Sequence, residues 1–133
     1  MTTKKATAHI ECNKNGFYSV YTNDEFPFGF FGEGKTKEEA MEDFVETFKA
    51  FRDDHQKQTG EYVEAEFDFV MDISALLQEF KDIINLRALS DVTGISKVML
   101  SQYACGTRHP KPAQRQRIIN GIHEMGRKCL AVQ

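Results

Sequence analysis

Lys97, Val98 and Gln102, with Ser101 beside them, carry side chains that can read the edges of base pairs. Gln pairs bidentately with adenine, Lys donates to guanine, and Val packs against the thymine methyl. Such contacts discriminate only if a rigid element presents the side chains to the major groove, so the flanking residues decide whether the chemistry is available. The stretch 86–106 reads L-R-A-L-S-D-V-T-G-I-S-K-V-M-L-S-Q-Y-A-C-G. Two short helices cross steeply only where certain positions are small, apolar or permissive of left-handed backbone. Ser90 is the small residue at the approach and Gly94 the turn, while Leu89, Ile95, Leu100 and Tyr103 supply the apolar lock. Ser96 is placed to cap the second helix. This spacing is that of a helix-turn-helix, whose second helix lies in the major groove. An ordinary helical hairpin is the plainer alternative.

Arg87 near one helix start, Ser96 at the other, and Arg108, Lys111 and Arg115 beyond the second helix are candidates for phosphate contacts. Such contacts position a protein on DNA without specifying sequence. For any single one, a solvated surface charge is an equally good account.

Other chemistry finds less support. Asp24, Glu33, Glu64, Glu66 and Asp68 are carboxylates available to a metal-dependent nuclease, and strand alternation puts the last three on one face. Acids on a solvated strand are commonplace. His9, His55, His109 and His123 are scattered, with no spacing that gathers metal ligands. No nucleophile elbow, P-loop or dinucleotide-binding glycine motif occurs. Cys105 reads as a small buried packing residue rather than a reactive thiol. No catalytic residue, metal or cofactor is therefore expected.

The elements that must hold the first motif follow from periodicity. Residues 7–13 and 17–22 read as strands joined by Asn13-Lys14-Asn15-Gly16, and 28–32 as a third strand ended by Gly32 and Gly34. Thr36 with Glu39 makes a capping box, and Ala40, Met41, Phe44, Val45, Phe48 and Phe51 continue a helix to about residue 58. Residues 62–70 alternate apolar and acidic, which is a strand with one buried face. Ile73, Leu76, Leu77, Phe80, Ile83 and Ile84 mark one amphipathic helix, and helical pieces follow at 86–93, 97–105 and 112–125. The fold class expected is α+β: a β-β-β-α-β domain over 1–71, then an all-α helix-turn-helix domain over 72–133.

Composition sharpens this division. The 133 residues carry a net charge of −3, which on its face argues against nucleic acid. Residues 1–72 hold eight bases and sixteen acids, a net of −8, whereas 73–133 hold nine bases and four acids, a net of +5. Asymmetry of this kind hints at a nucleic-acid-binding module joined to something else. No apolar run approaches the ~20 residues of a membrane helix, and no signal-peptide core opens the chain. Three widely spaced cysteines, Cys12, Cys105 and Cys129, fit no disulfide framework, so a cytoplasmic, reducing setting and no membrane partner are expected.

Two segments carry a family resemblance. Residues 28–44, F-G-F-F-G-E-G-K-T-K-E-E-A-M-E-D-F, following the Gly-linked hairpin, look like the HicB antitoxins. Residues 89–112, L-S-D-V-T-G-I-S-K-V-M-L-S-Q-Y-A-C-G-T-R-H-P-K-P, with I-I-N-G-I-H-E-M-G-R-K-C-L-A-V after them, resemble their C-terminal Cro/repressor-type extension. One departure is that the Pro-Gly-Cys usual in the first segment stands here as Pro27-Phe28-Gly29-Phe30. The resemblance implies a small, partial ribonuclease-H-like first domain that sequesters a small basic mRNA-cleaving toxin, HicA. It also implies a helix-turn-helix that binds double-stranded operator DNA as a homodimer or higher homo-oligomer and represses its own operon. The −8 charge of the first part fits a cationic partner. The rival reading keeps both domains but makes the chain a solitary regulator whose first domain dimerises or senses a ligand. Ile118, Ile119, Ile122, Met125, Leu130 and Val132 are candidates for a dimer surface or for plain core.

Overall fold

A computed structural model describes residues 3–133. The chain runs β1 (Thr3–Cys12), β2 (Tyr18–Thr22), β3 (Gly32–Gly34), α1 (Lys37–Thr59), β4 (Glu64–Met71), α2 (Ile73–Glu79), α3 (Leu86–Thr93), α4 (Lys97–Ala104) and α5 (Pro112–Leu130). The fold is mixed α+β, with one four-stranded sheet in the order β3-β2-β1-β4. β1 pairs antiparallel with β2 and parallel with β4, and α1 is the crossover that the parallel pairing requires.

Alternation in β1 decides the layering. Ala6, Ala8, Ile10 and Cys12 are buried, and the residues between them face the other way. Val20 and Tyr18 of β2 join them, and α1 lays Ala40, Phe44 and Phe48 over this face. The helix starts at Thr36, whose Oγ1 accepts the Glu39 amide at 3.1 Å. Glu39 returns a bond to the Lys35 amide at 3.0 Å, one residue short of the reciprocal capping-box position. Gly60, at φ 78°, ends it in a left-handed cap.

The third strand differs from expectation. Gly32 and Gly34 do not end it; they form it, and residues 28–31 lie outside the sheet. A Cβ on Gly32 would overlap the Phe44 amide nitrogen and the Ala40 carbonyl, and one on Gly34 would lie 2.6 Å from the Glu39 Cβ. Only glycine lets α1 approach this closely. Ring packing holds the preceding segment: Phe26, Phe28 and Phe30 lie 5.2–5.9 Å from Phe48, centroid to centroid.

The helical part also differs in its boundaries. The helix expected over 73–84 ends at Glu79, and turns at 80–84 re-aim the chain, leaving Ile83 exposed. A fresh cap then opens α3, where the Asn85 side chain accepts the Ala88 amide at 2.7 Å. The last helix runs five residues further than 125, with Arg127 and Lys128 complementing the dipole of its final turn. Ile73, Leu77, Leu89, Ile95, Leu100, Tyr103 and Ile118 make a second buried cluster. Ile119, Ile122 and Met125 pack against it, whereas Leu130 and Val132 stand exposed. Cys105, expected to be buried, is exposed because α4 ends at Ala104 and Cys105 caps it on the outside.

The two clusters meet at α2. Ala75 belongs to the sheet-side core, while Ile73 and Leu77 belong to the helical one. Asp72 caps α2 by accepting from the Ala75 amide and from the Ser74 hydroxyl, at 3.0 and 2.7 Å. Ser74 Oγ in turn accepts the Cys12 amide at 3.1 Å. This relay satisfies the buried Ser74 and ties the end of β1 to the start of α2.

Candidate nucleic-acid interface

The turn between α3 and α4 is built from the residues that its sequence nominated. Gly94 takes φ 76°, a left-handed conformation costly for any side chain, and its amide bonds back to the Ser90 carbonyl. The Ser90 hydroxyl donates to the Ile95 carbonyl at 2.5 Å, which fixes the chain as it leaves the turn. Leu89 and Leu100 are wholly buried, and Ile95 and Tyr103 nearly so. Ser96 accepts the Met99 amide at 3.1 Å, so its hydroxyl is the N-cap of α4.

Helical periodicity then determines what α4 shows to the outside. Leu100 and Tyr103 turn inward, so Lys97, Val98 and Ser101 stand exposed and Gln102 lies half-buried at the edge of that face. Val98 is 70 % exposed, an apolar side chain on a helix that buries its other branched residue. Arg108, just beyond α4, is exposed and folds back to place Nη1 3.4 Å from Met99 Sδ. Lys111 is exposed at the N-cap of α5, and Arg87 is exposed in the first turn of α3. Arg115 is placed differently: half-buried at the junction with the sheet, it donates to the Met71 carbonyl at 3.4 Å.

Three features of this region lie outside the motif as read from sequence. Arg117 on α5 donates to the Thr93 carbonyl at 2.7 Å and to Gln114 at 2.9 Å, bracing the end of α3 beside the turn. Gly121 lets α5 pass against α3, since a Cβ there would come within 2.6 Å of Thr93 Cγ2. Glu11, Asp72 and His109 converge, with ligand-capable atoms all within 4.8 Å of one another. No local spacing signals that trio, because its members are 61 and 37 residues apart; the pairing of β1 with β4 would have to be known first.

Among the described residues, Asp24, Glu33, Glu64, Glu66 and Asp68 belong to no such cluster. Glu64 accepts from Arg52 at 3.2 Å and from the Tyr62 hydroxyl at 2.9 Å, and the Tyr62 bond holds its carboxyl below the usual range. Asp24 accepts the Thr7 amide, and Glu66 and Asp68 are exposed. Tyr21 donates to Glu11 at 3.0 Å, and burial followed by the Glu11 charge pushes its hydroxyl up to about 12, keeping it a donor.

Among the described residues, no helix is long and apolar enough to cross a membrane. Neither family models, nor curated proteins, nor solved structures offer a match to this chain.

Proposed function

We propose that the chain is a DNA-binding antitoxin: α4 reads operator DNA, and the acidic sheet domain captures a small basic toxin. The observation that carries the DNA half is the pairing of a rigid α3-turn-α4 unit with an exposed face of Lys97, Val98 and Ser101. A valine left 70 % exposed on a locked helix is what a thymine methyl would cover. The toxin half is supported by the net −8 of residues 1–72 and by the resemblance to HicB, whose strand-strand-strand-helix-strand order is compatible with the run β1-β2-β3-α1-β4. One recognition helix reads only a few base pairs, so two copies on half-sites about one helical turn apart are the working unit.

The solitary-regulator reading has one observation in its favour. β4 is an edge strand whose outer side pairs with nothing among the described residues, and such edges accept a strand from another chain.

The deciding experiment selects binding sites for the full chain from random duplex DNA, then measures affinity from ~50 to 200 mM salt. A selected palindromic site whose affinity falls steeply with salt supports the reading, and no enriched sequence overturns it. Co-expression with short basic reading frames adjacent to its gene separates the alternatives. A copurifying partner held by residues 1–71 supports the antitoxin, and a chain that only self-associates supports the regulator.

A further inference from the structure

We propose that Glu11, Asp72 and His109 bind a first-row divalent transition metal, clipping the loop between α4 and α5 to the end of the sheet. The placement originates in strand pairing. β1 and β4 run parallel with Ile10 opposite Met71, so the next residues, Glu11 still within β1 and Asp72 just past β4, lie side by side where that pairing ends. The Asp72 amide donates to the Ile10 carbonyl at 2.9 Å, which fixes that juxtaposition. Two carboxylates held as cross-strand neighbours repel unless a cation lies between them. Among the described residues neither makes an ion pair within 4.0 Å.

His109 supplies the third ligand. Both carboxylates are half-buried and His109 is exposed, and the three line one cavity with Tyr21, Ser74, Arg108, Pro110 and Arg115. The two arginines in that wall are directed elsewhere, Arg108 to Met99 Sδ and Arg115 to the Met71 carbonyl. Each donor is also oriented or free as a ligand would need. Tyr21 holds Glu11 through Oε1, and the α2 cap holds Asp72 through Oδ1. The other oxygen of each carboxylate, and both ring nitrogens of His109, have no hydrogen-bond partner among the described residues. Hydrogen bonds to a ligating carboxylate are the usual outer support of a metal site.

One imidazole and two carboxylates suit Zn2+ and its neighbours rather than Ca2+, which takes oxygen alone. Bonds of ~2.0–2.2 Å put ligand atoms about 3.3 Å apart in a tetrahedral site. The present spread within 4.8 Å is wider than that, and the exposed His109 side chain is the member freest to move inward when a cation binds. Water completes the coordination. The metal would thereby join three segments: the end of β1, the cap of α2, and the loop carrying Arg108 and Lys111.

Titrating the full chain with Co2+ tests this directly. One equivalent should bind, giving visible ligand-field bands without the near-ultraviolet charge-transfer band of a thiolate. His109→Ala, Glu11→Gln and Asp72→Asn should each weaken binding by at least ~10-fold. Asn retains the α2 cap and Gln retains an acceptor for Tyr21, so circular dichroism of these variants should match the parent. No Co2+ or Zn2+ retained on equilibrium dialysis, a thiolate band, or unchanged affinity in all three variants would each overturn the proposal. The result does not depend on whether α4 enters a DNA groove.

Discussion

Arg117 Nη2 lies 2.7 Å from the carbonyl oxygen of Thr93, the last residue of α3. A guanidinium at that position satisfies a carbonyl left free by the helix end and sits at the negative end of its dipole. The bond therefore braces the turn from α5, outside the α3–α4 pair itself. Arg117→Ala should lower stability by ~0.5–1.5 kcal/mol, toward the low end because the arginine is exposed. A shifted urea midpoint at unchanged slope would report it. An unmoved midpoint would show that the turn holds without the brace.

Gly121 and Gly126 lie on the same helix and should respond to alanine with opposite signs. A Cβ at Gly121 would meet Thr93 Cγ2 at 2.6 Å, and Thr93 cannot readily swing aside because its Oγ1 is bonded to the Leu89 carbonyl at 2.7 Å. Overpacking of this kind costs ~1–3 kcal/mol. A Cβ at Gly126 meets nothing within 4 Å, so Gly126→Ala should gain ~0.5–1 kcal/mol from helix propensity. Thermal unfolding of the two single variants checks both signs, and equal shifts would refute the close packing of α5 on α3.

Those two glycines show where a linear reading stops. Period and capping signals located the turn at Gly94, the cap at Ser96 and the inward Leu89, Leu100 and Tyr103, because each is decided within one or two helical turns. The roles of Gly32, Gly34 and Gly121 depend on which helix lies against them, so the same residue type looked like a strand end or an unremarkable helix interior. The Glu11–Asp72 juxtaposition needed the parallel register of β1 and β4, set by a crossover of more than fifty residues. The exposure of Cys105 has the same origin, since burial at a helix end depends on how the chain leaves it.

The three cysteines should separate by accessibility. Cys12 is 2 % exposed, and burial pushes its thiol up, whereas Cys105 and Cys129 are exposed. Thiolate, not thiol, reacts with alkylating reagents, so burial and a raised pKa both protect Cys12. Iodoacetamide near pH 8 should label two thiols in the native chain and three after denaturation, read by intact mass. Peptide mapping that found Cys12 among the native products would contradict the sheet-side core.

Glu64 gives stability a defined pH dependence. The Tyr62 hydroxyl, the Ala65 amide and Arg52 hold its folded carboxyl below the ordinary range. A depressed folded pKa contributes stability above the unfolded value of ~4.3, and that contribution disappears as pH falls through the lower folded value. The difference between the parent and Glu64→Gln should therefore shrink on going from pH 7 to pH 3. Urea unfolding at several pH values measures it, and a constant offset would show that the shift is absent.

DNA contacts should divide according to exposure and place on α4. Lys97, Val98 and Ser101 face outward, and Gln102 lies half-buried at the rim with its main-chain carbonyl already accepting the Thr107 and Arg108 amides. Its side-chain amide remains the group able to meet a base edge. Gln102→Ala should relax preference at one base pair by ~1–3 kcal/mol while leaving the others intact. Val98→Ala should reduce preference for thymine at a neighbouring position, since only a methyl contact is lost. The proposed docking gives Arg108 a phosphate rather than a base, so Arg108→Ala should weaken all sequences alike and lower the salt slope by about one unit. Affinities of the three variants across single-base substitutions of a selected site distinguish these patterns. If Arg108→Ala changed preference while Gln102→Ala lowered affinity uniformly, α4 would have to sit on the backbone rather than in the groove.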